Sequence, residues 1–149
     1  MKHDLPSRKK LPHEIPSWVR EDAVFFISIN CAERGKNQLC HESIAAVVAD
    51  AFRFCHARDE WHVHLLLLMP DHLHALVAFA RDHEMKHLVA KTKEFIARQT
   101  GIRWQRDYFD HRLRKDERRL EKAHYIRMNP VRKRLVARPE DWPYVWDSW

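Results

Sequence analysis

Apolar and polar positions follow two periods along the chain, and their order predicts the elements. Residues 23–30 (AVFFISIN) form an apolar, β-rich run that reads as a buried strand. Between 42 and 58, Ile44, Val47, Val48, Ala51, Phe52 and Cys55 recur at three- and four-residue spacing. That spacing predicts an amphipathic helix starting near His41 or Ser43. Residues 61–69 (WHVHLLLLM) make the strongest strand, Pro70-Asp71 a turn, and 72–79 (HLHALVAF) a returning strand, so the two form a hairpin. A second helix over 82–100 presents Met85, Leu88, Val89, Phe95 and Ile96 on one face and stops at Gly101. Residues 102–114 read as irregular or as a short edge strand. A third helix runs from Asp116 to about Asn129; Asp116 and Glu117 suit its dipole, and Pro130 stops it. The remainder, ending in RPEDWPYVWDSW, reads as aromatic loop. Strand, helix, hairpin, helix, irregular segment and helix indicate an α+β fold. Its sheet is mainly antiparallel and sandwiched by helices, not doubly wound.

Composition narrows the class. A chain of 149 residues with 45% hydrophobic residues is one domain with a real core. Residues 1–22 are Pro-rich and carry Arg8-Lys9-Lys10, so they read as a basic N-terminal arm before a single domain at 23–149. The two glycines, Gly35 and Gly101, exclude a dinucleotide fingerprint and a P-loop, which need closely spaced glycines. Cys31, Cys40 and Cys55 form no CxxC pair, so neither a zinc ribbon nor a disulfide framework is indicated. No apolar segment follows the basic N-terminus, and the longest apolar run (65–69) is far too short to span a membrane. The expected location is therefore cytoplasmic.

Charge then points to a partner. The net charge is +6, but residues 1–22 contribute +1, 23–100 nothing and 101–149 the remaining +5. A concentrated basic third suits an anionic partner, most simply nucleic acid; a solvated basic helix and tail would look the same.

Two H-x-H pairs stand on the hairpin, His62/His64 and His72/His74. Residues i and i+2 of a strand share a face, and imidazole is the commonest ligand for borderline cations. A turn centred on Pro70-Asp71 pairs residues whose numbers sum to 141. That register sets His74 opposite Leu67 and His64 opposite Val77, with the two pairs on opposite faces; a one-residue bulge would overturn it. His62/His64 read as packing or solvent-facing histidines, whereas His72/His74, at the rim after a tight turn, are the better metal candidates.

On the third helix, steps of about 100° place Leu120, Ala123 and Ile126 on one side. Tyr125, Asn129, Arg118 and Lys122 fall about 160° away. A tyrosine off the core face, among cations and one turn from an amide, suits contact with phosphate; a surface tyrosine covering the helix would look the same. Tyr108 is a competing candidate, read as packing against the sheet edge. Asp71 reads as a turn residue without a catalytic role.

These residues carry a resemblance. MPDHLHALV (69–77) resembles the H-U-H motif, U apolar, of single-tyrosine transposases. HYIRMNPVRKRLV (124–136) resembles the tyrosine-helix signature of the REP-associated tyrosine transposases, with His72 and Tyr125 53 residues apart. WQRDYFDHRLR and the leading LPHEIPSWVREDAVFFISIN are similar to that family as well, so the resemblance runs from about Leu11 to Trp142.

The resemblance implies a ferredoxin-like HUH fold. His72 and His74 would hold a divalent ion, Mg²⁺ or Mn²⁺. Asn129 stands where relatives carry a polar third ligand, often a longer glutamine. Tyr125 would be the nucleophile of a single-stranded DNA endonuclease and strand transferase working through a 5′-phosphotyrosine. Free tyrosine, with a pKa of about 10, is a poor nucleophile, which is why such a reaction would use a metal. Arg118, Lys122 and Arg127 would hold backbone phosphate, with Arg114, Arg8, Lys9 and Lys10 as further DNA contacts. The implied partner is hairpin-bearing single-stranded DNA such as a REP element, met at the nucleoid. Relatives work as monomers or as homodimers whose tyrosine acts across the interface. A domesticated, non-catalytic hairpin-binding domain is the alternative. A histidine-cluster hydrolase of small molecules is a third reading, disfavoured by the basic last third.

Overall fold

The computed structural model describes residues 15–114 and 117–149. Arg8, Lys9 and Lys10, and Asp116 at the expected start of the third helix, lie outside the described residues. The elements are β1 (Val24–Asn30), α1 (Glu42–Ala57), β2 (Trp61–Met69), β3 (His72–Phe79), α2 (Met85–Thr100), β4 (Phe109–Arg112), α3 (Arg119–Arg127), α4 (Asn129–Arg132) and β5 (Val145–Trp146). The first six give a β-α-β-β-α-β order, and the five strands line up as β4-β1-β3-β2-β5 with every pairing antiparallel. This is the ferredoxin-like arrangement with one added strand.

Both faces of the sheet are covered. On one, Ile27, Ile29, Leu66, Leu68, Ala75 and Val77 pack with Val48 and Phe52 of α1 and Leu88, Val89 and Ile96 of α2. On the other, Val24, Leu65, Leu67, Met69 and Leu76 pack with Leu113 and with Ile126 of α3. Double coverage explains why β2 and β3 read as near-continuous apolar runs. The hairpin boundaries, α1 and the Gly101 stop match the apolar pattern, and Gly101 takes the left-handed conformation (φ 77°) that suits a helix end.

Four expectations are corrected. The third helix begins at Arg119, not near 116, and breaks at Met128 before a short turn of helix at Asn129–Arg132. Pro130 sits at the start of that turn, where its missing N–H costs nothing. The aromatic tail is not loop throughout: β5 pairs with Leu66 and Leu67, Leu68 N–H donates to Tyr144 O, and Trp142 Nε1–H donates to Leu68 O. Phe95 and Leu120, both expected on apolar faces, are 47% and 72% exposed.

The fourth correction concerns the histidines. Leu65 to Met69 keep the expected register, with His74 opposite Leu67. A bulge between Val63 and Leu65 makes His64 the extra residue, so Val63, not His64, faces Val77. His62 therefore lies opposite Ala78, itself opposite Val24 of the α3-side core. Both H-x-H pairs lie on the α3 face, not on opposite faces.

Candidate active site

The hairpin turn sets the first part of the site. His72 and His74 stand on the α3 face of β3 with ring centroids 4.8 Å apart. His72 Nδ1 hydrogen-bonds Asp71 Oδ1 at 2.7 Å. Asp71 is itself clamped, since its Oδ2 accepts from Gly35 N–H at 2.8 Å and lies 3.5 Å from Arg34 Nε. With Asp71 ionised, Nδ1 of His72 carries the proton and Nε2 presents its lone pair, as carboxylate partners arrange for metal-binding imidazoles. Asp71 is thus more than a turn residue. His74 stacks on Phe26 at 5.2 Å, and its Nδ1 is buried without a hydrogen-bond partner.

The surroundings disfavour the charged form of both rings. Burial pushes His72 down, partly offset by Asp71. Burial, then His72, Arg132, Lys122 and Arg34, push His74 down to about 3. Neutral imidazole is the form that binds metal. Two close neutral imidazoles, one oriented by a carboxylate, fit a shared divalent ion. Among the described residues, no group of three His, Cys, Asp or Glu converges on one point, so any further ligand would be an amide, a hydroxyl, water or substrate oxygen. Asn129 is buried (8% exposed) at the start of α4, whose Arg132 acts on His74 and whose neighbour Lys133 acts on His72.

The second part comes from α3 and α4. Tyr125 is 56% exposed, off the core face as the helical spacing predicts, while Ile126 beside it is buried. Arg132 donates to Tyr125 O at 2.8 Å, and its guanidinium lies 4.1 Å from the tyrosine ring centroid. Lys122 Nζ lies 5.1 Å from that centroid and 4.7 Å from the Phe26 ring. Contacts therefore run from His74 through Phe26 and Lys122 to Tyr125 and Arg132. Arg132 was not among the expected phosphate contacts; continuing the helical face past Pro130 would have found it at i+7 from Tyr125.

The other candidates separate. Arg118 and Arg114 are exposed, Arg118 just before α3. Arg127 is paired with Asp147 at 2.6 Å, so it ties α3 to the C-terminal segment. Tyr108 packs against the core on the α1/α2 side, and burial raises its pKa, so it stands apart from the histidines. His62 and His64 form a separate group with His56, at ring separations of 4.7 Å, where the first residues of β2 border no β5. A groove of about 680 Å³ between α1 and α2, with Phe54 and Phe95 on its walls, lies on the opposite face from His72.

No protein-family model matches the chain. A curated protein of Haemophilus influenzae provisionally named REP-associated tyrosine transposase is 31% identical over 91 residues, covering 56% of this chain. Over that segment the chain is similar to a REP-associated tyrosine transposase. The match spans about half (51%) of that curated protein's length. A solved structure described as the REP-associated tyrosine transposase bound to a REP hairpin superposes with a TM-score of 0.73 at 19% identity, covering 89% of this chain and 81% of the other. A provisionally assigned transposase of Deinococcus radiodurans superposes with a TM-score of 0.52 at 18% identity, over 85% of this chain and 95% of its own. The α+β fold expected of a REP-associated tyrosine transposase is the fold observed. No helix among the described residues is long and apolar enough to cross a membrane.

Proposed function

We propose that this chain is a metal-dependent single-stranded DNA endonuclease and strand transferase acting on hairpin-bearing DNA. One observation carries the reading: α3 and α4 set Tyr125, Lys122 and Arg132 on the sheet face that bears His72 and His74. The relative named for REP-associated transposition, and the solved relative described with a REP hairpin, support the substrate class.

His72 and His74 would hold Mg²⁺ or Mn²⁺, with Asn129 as a candidate third ligand. When bound, the ion would neutralise charge on the scissile phosphate. Asp71 fixes the His72 tautomer. Lys122 and Arg132 hold phosphate oxygens beside the tyrosine ring. Tyr125 Oη gives up its proton to solvent as it attacks phosphorus, the P–O3′ bond breaks, and the released 3′ oxygen takes a proton from solvent to become a hydroxyl. A 3′-OH from another strand end reverses the step, so strand transfer needs no external energy. The packing of Ile126 of α3 into its own chain's sheet supports a reading in which Tyr125 serves the histidine pair of the same chain.

The test is a covalent adduct. Incubated with a single-stranded hairpin oligonucleotide and Mn²⁺, the protein should give a shifted band on a denaturing gel. Tyr125→Phe should abolish it, Tyr108→Phe should retain it, and a chelator should suppress it. An adduct that survives Tyr125→Phe refutes the reading. Tight hairpin binding without any adduct would mark a non-catalytic binding domain instead.

A further inference from the structure

Phe109 is 57% exposed on the edge strand β4. An exposed edge is more cheaply served by charge, so a large bare ring there calls for an explanation. Its register is opposite Ser28, which in turn is opposite His74, so all three share the α3 face. Its ring meets Phe26 edge-on at 6.0 Å, and Phe26 stacks on His74. Lys122 Nζ caps Phe26. A line of rings thus leads from an exposed outer platform to the histidine pair, with a cation over its middle. The neighbours on β4 do not compete for the platform: His111 bonds Glu117 at 2.9 Å, and the Arg112 guanidinium turns to Phe25 on the other face.

We infer that Phe109 is the stacking platform for an unpaired base flanking the phosphate that Tyr125 attacks. The ligand is therefore an unpaired nucleobase, with its phosphate on Lys122. An unpaired base offers a free π face, whereas a base inside a duplex has both faces covered by its neighbours. Stacking is tolerant of sequence, so Phe109 would select single-stranded flanks over paired ones without reading their sequence. The inference rests on the reading of the site as a single-strand nuclease.

The test uses the full chain in metal-free buffer, so that binding is separated from cleavage. Two probes are compared by fluorescence anisotropy, a blunt hairpin and the same hairpin with an unpaired tail carrying 2-aminopurine. Phe109→Ala should weaken the tailed probe by roughly tenfold and leave the blunt probe within about twofold. Phe109→Tyr should restore the affinity. The 2-aminopurine emission should be quenched by the parent and by Phe109→Tyr, and not by Phe109→Ala. Equal affinity of Phe109→Ala for the tailed probe, equal losses on both probes, or full rescue by Phe109→Leu would overturn the inference. If the parent forms the Tyr125 adduct while Phe109→Ala binds the tail normally, only the stacking role fails. If the parent neither binds the probes nor forms the adduct, the nuclease reading fails with it.

Discussion

His64 is the extra residue of the β2 bulge, 7% exposed, with Nε2 buried and without a hydrogen-bond partner. Burial, followed by Arg119 of α3, His62 and His56, pushes it from 6.5 down to about 3. The folded chain thus holds a neutral imidazole where the unfolded chain takes a proton near 6.5. Above that pH the two states bind the same number of protons. Below it the unfolded state binds more, so stability falls as pH drops toward 3. At pH 5 the loss from this one group is about 2 kcal/mol. Thermal melts at pH 7.5 and pH 5 should show the parent losing more stability than His64→Leu by about that amount; equal losses would mean that His64 is not the buried neutral group described. The same residue shows what single positions conceal. Alternation along WHVHLLLLM is visible in the sequence, but a bulge leaves no mark in it. Asp71 looks complete as a turn residue, because its clamp comes from Gly35 and Arg34 about 36 residues away. That Tyr125 lies off the core face and that His72 and His74 stand side by side were legible, because a strand of period two and a helix of period 3.6 fix which side chains share a face.

Elements with strong periodicity were legible in the same way. The hairpin buries almost every residue its pattern offers, and α1 buries Val48, Ala51, Phe52 and Cys55 with Ile44 and Val47 half-buried, so packing and pattern agree. The third helix and the tail were not. Helix α3 has a single buried residue, Ile126, and its end comes from the break at Met128 and the restart at Asn129. Strand β5 is two residues long and exists only because β2 offers a free edge there. This short strand does more than its length suggests. Trp142 bonds Leu68 O, Trp146 packs against the core, and Asp147 pairs with Arg127 on α3. Removing residues 142–149 would bare the β2 edge and uncover part of the sheet. We expect a loss of about 3 kcal/mol, which lowers Tm by roughly 10 °C. Asp147→Asn removes only an exposed ion pair and should cost about 0.5 kcal/mol. Calorimetry on both variants checks the contrast; a truncation no worse than Asp147→Asn would mean that β5 is ornamental to the fold.

At the scale of the whole molecule, the charge and the faces coincide. Residues 23–100 are neutral overall, and they supply the α1/α2 layer, where Arg98 pairs with Glu94 and Arg53 with Asp50. The excess of five positive charges falls in 101–149, which supplies α3 and α4 on the histidine face. Not all of those cations are available to phosphate: Arg127 and Arg138 are held by Asp147 and Asp141. Lys122, Arg132 and Lys133 remain around Tyr125 and the histidines, and exposed Arg118 stands one helical turn before Lys122. If these four neutralise phosphates of a single strand, each releases about 0.7 of a counterion. The logarithm of the binding constant should then fall with the logarithm of salt concentration with a slope of about −3. Titrating the tailed hairpin at four salt concentrations measures it. Lys122→Gln should make the slope shallower by about 0.7, whereas Arg98→Gln on the opposite layer should leave it unchanged. A slope near zero, or one that responds equally to both substitutions, would place the nucleic acid somewhere other than the face that carries Tyr125.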